Sequence, residues 1–129
     1  MDFVCAGRSF HVTGGSVGAP HLWFVLTDPD PKTHKVIIVM VVTVRGHTDK
    51  TVTLQAGEHP FIKHDSQLDY ANAKPMPANA ILGNIKSGRW RPQPDMSRDL
   101  LDRVRRGLLE SPRTPNFIVE YCKALFGGG

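Results

Sequence analysis

Strands followed by helices predict a small α+β domain, most simply a strongly bent antiparallel sheet or barrel flanked by C-terminal helices. Three stretches carry that reading. Residues 36–45 are an almost continuous apolar run, Val-Ile-Ile-Val-Met-Val-Val-Thr-Val-Arg, whose β-branched side chains suit a strand buried on both faces. His21 to Thr27 is a second buried-strand candidate, and after Ser97 the apolar period lengthens from strand-like to helical.

Residues 1–20 hold Gly7, Gly14, Gly15, Gly18 and Pro20 around short apolar pieces such as Phe10 and Val12, the pattern of a loop-rich start with room for one edge strand. Asp28-Pro29-Asp30-Pro31-Lys32 then reads as a turn, because proline fixes φ and aspartate caps its own backbone; the flanking strands become a long hairpin. Thr51 to Leu54 alternates like a third strand and ends at Ala56-Gly57. Leu68 to Ala73 is a further strand candidate stopped by Pro75-Met76-Pro77, and Ala78 to Ile85 fits a short helix.

Ser97 is a good N-cap for a helix carrying Leu100, Leu101, Val104 and Leu108 and running to Glu110. Ser111-Pro112-Arg113 ends it. Thr114-Pro115 restarts a helix with an N-cap and a first-turn proline, and Phe117, Ile118, Tyr121, Cys122 and Leu125 form its apolar stripe up to a Gly127 cap. The expected organisation is one domain over residues 1–129, with a strand core at 20–85 and two helices at 97–126.

Two cysteines, Cys5 and Cys122, lie near opposite ends without CxxC spacing, as in a reduced intracellular protein. No apolar run is long enough to span a bilayer and no signal-peptide pattern opens the chain, so a cytoplasmic protein without membrane contact is expected. The net charge is +4, and Lys86 to Arg113 holds eight basic residues against four acidic ones. Such a local excess attracts phosphates by counterion release and is equally the mark of a solvated helix face.

The chemistry-bearing residues cluster at strand ends. Thr43 and Arg45 stand two apart where the long apolar run stops, so they share a face, and a hydroxyl beside a fixed cation suits a phosphate or oxyanion. His21, His47, His59 and His64 also fall at strand ends or in loops, where imidazole can serve as a general acid or base. His59, His64 and Asp65 match no established metal signature, Ser66 lacks a nucleophile elbow, and no phosphate-binding glycine fingerprint occurs, so neither a metal nor a nucleotide cofactor is expected. Arg89, Trp90 and Arg91 form either an exposed stacking platform for nucleic acid or a turn whose tryptophan plugs the core.

Over residues 20–85 the order of pieces resembles the MazF/PemK-like toxins of bacterial toxin–antitoxin systems. Thr43 matches a threonine ending that family's second buried strand, and Ser66 a serine opening a later one. The family's catalytic arginine stands in an Arg-Pro pair where this chain has Pro20-His21. The resemblance implies an SH3-like barrel, usually a homodimer, acting without metal as an endoribonuclease on single-stranded RNA, with an antitoxin polypeptide as partner. Its site would draw on His21, Thr43, Arg45, His64 and Ser66: either His21 or Arg45 replaces the missing arginine, or the activity is absent and the chain is a nucleic-acid- or protein-binding module on the same fold.

Overall fold

The computed structural model describes residues 1–12, 21–44 and 49–126. Among these residues seven strands form one antiparallel sheet: β1 (Ser9–Val12), β2 (His21–Val25), β3 (Lys35–Thr43), β4 (Thr53–Leu54), β5 (Ser66–Leu68), β6 (Lys74–Pro77) and β7 (Trp90–Gln93). Three helices accompany it: α1 (Ala78–Lys86), α2 (Arg98–Glu110) and α3 (Asn116–Phe126). The strand order is β4-β5-β3-β2-β1-β7, with β6 also paired to β3. The fold class is therefore α+β, as expected, but among the described residues the outer strands β4 and β7 do not meet, so the sheet stays open rather than closing into a barrel.

The central strand behaves as its composition dictates. Alternation sends Ile37, Val39 and Val41 into one core with Leu100, Leu101, Val104 and Leu108 of α2 and Ile118 and Cys122 of α3. Val36 and Ile38 face a second core, closed by Ile81 of α1 and bordered by Trp23 and Trp90. A strand buried on both sides needs neighbours on both edges. Along one edge β3 pairs with β2; along the other its first half pairs with β6 and its last residues, Val41 to Thr43, with β5.

The turn after β2 is tied as its aspartate predicts: Asp30 Oδ1 accepts from the amides of Lys32 and Thr33 at 2.8 and 3.0 Å. Its other oxygen accepts from the Tyr121 hydroxyl at 2.9 Å, docking α3 on the hairpin. Ser97 caps α2, accepting the Leu100 amide at 3.1 Å. Arg103 and Glu58 form a forked ion pair that ties α2 to the loop after β4, and Arg103 also donates to the Thr53 carbonyl at 3.0 Å. Tyr70 donates to the Val104 carbonyl at 2.9 Å inside the first core, where burial pushes its hydroxyl pKa far up.

Four local expectations are corrected. The strand expected over Leu68 to Ala73 is split: β5 ends at Leu68, residues Tyr70 to Asn72 make a 3-10 turn, and β6 runs through Pro75 and Pro77 instead of stopping there. Pro75 and Pro77 are tolerated because Ala78 donates to the His34 carbonyl, which leaves the alternate nitrogens of Pro75 and Pro77 pointing away from β3. The strand placed over Thr51 to Leu54 is reduced to Thr53 and Leu54, since Thr51 folds back to bond Asp49 through its amide and hydroxyl. Thr114 does not cap α3: its buried hydroxyl has no hydrogen-bond partner among the described residues.

Candidate functional site

One open cleft of about 780 Å³ gathers residues far apart in sequence. His21 and Leu22 come from the start of β2, Val41 to Thr43 from the end of β3, Pro60 to His64 and Ser66 from the approach to β5, and Gln93 with Pro94 from the end of β7. Thr43 and Ser66 are register partners between β3 and β5, so the sheet fixes their separation. Four of the five residues expected at the site, His21, Thr43, His64 and Ser66, line this one cleft. Arg45 lies outside the described residues, as does His47.

The lining has a definite chemistry. Lys63 contributes a cation, His21 and His64 are exposed imidazoles, and among the described residues no carboxylate lines the cleft. Leu22, Val41, Pro60, Phe61 and Ile62 supply apolar surface beside these polar groups. The Ser66 hydroxyl is spent locally, donating to the His64 carbonyl at 2.8 Å; it shapes the turn that presents His64.

Beneath the cleft lies a clasp that the polar look of residues 58–66 concealed. His59 is 1 % exposed and packs against Phe24 with ring centroids 5.7 Å apart. Its Nδ1 accepts from the Phe61 amide at 3.0 Å, so its hydrogen sits on Nε2, which donates to the Pro94 carbonyl at 2.7 Å. Ser9, wholly buried, donates to the same carbonyl at 2.6 Å and lies 3.0 Å from Nε2. Desolvation dominates the imidazole's titration and holds its pKa below the ordinary value against the opposing Pro94 bond. Both nitrogens are engaged, which removes His59 from any metal set with exposed His64 and Asp65. Among the described residues no group of three or more His, Cys, Asp or Glu is placed to hold a metal.

A second histidine orders the cleft's edge. Gln93 Nε2 donates to His11 Nδ1 at 2.6 Å, and the His11 ring lies against Phe61 with centroids 5.0 Å apart. Burial first and the Arg91 charge second hold the His11 pKa down, which keeps Nδ1 free to accept. Arg91 and Gln93 are two apart on β7, hence on one face, with exposed Arg91 continuing the polar surface outward. Trp90 takes the other face, stacked on Phe10 at 5.2 Å and 9°. Of the expected Arg89-Trp90-Arg91 platform, the tryptophan is thus half-buried in the second core, while Arg89 is exposed beside it.

Sequence reasoning missed Phe61, Lys63, His11 and Gln93. The alternation Trp-Arg-Pro-Gln at 90–93 was an available signal for β7, masked by its proline and flanking glycine. Cys122 is buried, its thiol pushed up to about 12 by desolvation, and belongs to packing. No helix among the described residues is long and apolar enough to cross a membrane. No protein-family model, curated protein or solved structure matches the chain.

Proposed function

We propose that this cleft binds single-stranded RNA and cleaves it by transphosphorylation, in the manner of the MazF/PemK-like endoribonucleases that the chain resembles. The observation that carries the reading is the convergence of His21, Thr43, His64 and Lys63 on one cleft whose lining, among the described residues, holds no carboxylate. An anion is the ligand such a lining favours. In this reaction the RNA's own 2′-hydroxyl attacks the adjacent phosphorus and the 5′-oxygen leaves, so no protein nucleophile is needed. That agrees with a Ser66 hydroxyl committed to a backbone carbonyl.

His21 and His64 serve as the base that takes the 2′-hydroxyl proton and the acid that protonates the departing oxygen. Lys63 and the Thr43 hydroxyl offset charge building on the phosphoryl oxygens, with Arg45 assigned to the same task from sequence. The open sheet, whose central strand shares one edge between β5 and β6, is on this proposal an unclosed, divergent relative of the SH3-like barrel, with a homodimer, an antitoxin polypeptide and the cytoplasm as its setting.

Incubating the purified protein with single-stranded RNA in EDTA tests the proposal. Fragments ending in 2′,3′-cyclic phosphate and 5′-hydroxyl support it. RNA binding without fragments assigns the cleft to a non-catalytic module, and cleavage abolished by EDTA assigns it to metal chemistry.

A further inference from the structure

We propose that Gln93 reads a nucleobase in the cleft, its amide held in one orientation by His11. The inference rests on the RNA reading of the same cleft and adds to it the residue that sets sequence preference.

Gln93 ends β7 opposite Ser9, and its side chain lines the cleft. An amide nitrogen has only hydrogens to give, so the 2.6 Å contact to His11 fixes the donor as Gln93 Nε2 and the acceptor as Nδ1. The imidazole is itself held, by its place in β1 opposite Leu22 and by the Phe61 ring. The amide therefore cannot turn over without losing its anchor. What remains for a ligand is Oε1, which has no hydrogen-bond partner among the described residues, and the second N–H of Nε2.

An acceptor beside a donor is only half used by phosphate, which can take the N–H but has nothing to give Oε1. It fits the edge of a base, where an N–H group stands next to a ring nitrogen or carbonyl. Phe61, which also lines the cleft, offers an aromatic surface on which a splayed base stacks regardless of its identity. Stacking supplies affinity without choice; the anchored amide supplies the choice. Because the side chain is already ordered by His11, little conformational freedom is lost on binding.

The test uses equilibrium binding of four 2′-fluoro heptanucleotides, uridine throughout except for the central base, since 2′-fluoro removes the attacking hydroxyl. The wild-type protein is expected to favour one central base by roughly tenfold, the discrimination of one good bidentate contact. Gln93→Met should narrow the spread to under threefold while leaving the weakest binder unchanged, and His11→Phe, which keeps the ring against Phe61 but removes Nδ1, should do the same. A wild-type spread below threefold, a spread retained in Gln93→Met, or equal loss of all four in a variant of unchanged melting temperature would overturn the assignment. Should Gln93→Met fail to fold, His11→Phe decides alone by the same criteria. Failure of the wild type to bind any of the four is a different pattern, and it sinks the RNA reading along with this one.

Discussion

The Nε2 of His59 lies 2.7 Å from the Pro94 carbonyl while its Nδ1 holds the Phe61 amide at 3.0 Å, so one buried ring ties together two segments that wall the cleft. Replacing it with phenylalanine keeps the volume and removes both bonds, leaving the Phe61 amide without its acceptor. We expect His59→Phe to lower stability by about 2 kcal/mol, within the range for an orphaned buried polar group. Denaturant titration measures this. A change below the noise of the titration would mean that the clasp holds nothing.

The same ring predicts a direction for pH dependence. His59 and His11 are both held below their ordinary value of 6.5, so between that value and their folded pKa the unfolded chain binds more protons than the native one. Stability is complete above about pH 6.5 and falls as pH drops below it. Melting temperature followed from pH 8 to pH 5 checks this, with His59→Phe showing the shallower decline. Equal slopes in both proteins would refute the assignment to His59.

Gly107 sits mid-helix on α2 where a Cβ would come closer than 3.0 Å to the Tyr70 hydroxyl and to a Val52 methyl. Glycine to alanine in a helix interior ordinarily gains up to ~1 kcal/mol. Here overpacking wins, and Gly107→Ala should cost about 1–3 kcal/mol. A stabilised variant would show that Tyr70 yields easily.

Trp90 distinguishes packing from RNA contact. Stacked on Phe10 in the second core and only half-buried, it should cost about 2 kcal/mol of stability when changed to alanine, less than a fully buried tryptophan. RNA affinity of the folded Trp90→Ala protein should stay within threefold of wild type. A larger loss at unchanged fold would place a base on that indole.

The long apolar strand, the Asp30 turn and the Ser97 cap were legible because each depends on neighbours in sequence: alternation, a fixed proline φ, a side-chain oxygen beside free amides. The gathering of His21, Thr43, His64 and Ser66 was legible as a list of strand-end residues, but their common cleft is a product of register between β3 and β5. His59 was not legible. Between Glu58 and Pro60 it reads as a loop residue, and contacts from residues distant in sequence, Ser9, Phe24 and Pro94, bury it. Sheet closure was equally hidden, since no local pattern states whether β4 meets β7.

The cleft's role is tested most directly by single-turnover cleavage of one labelled single-stranded RNA in EDTA by wild type, His21→Ala, His64→Ala and Lys63→Ala. His21, Lys63 and His64 are exposed, so these changes leave melting temperature nearly unmoved. At least a tenfold slower rate is expected in each variant, since one preorganised contact to developing charge is typically worth ~3 kcal/mol of barrier. Wild-type rates in all three variants would mean that these side chains take no part in the reaction.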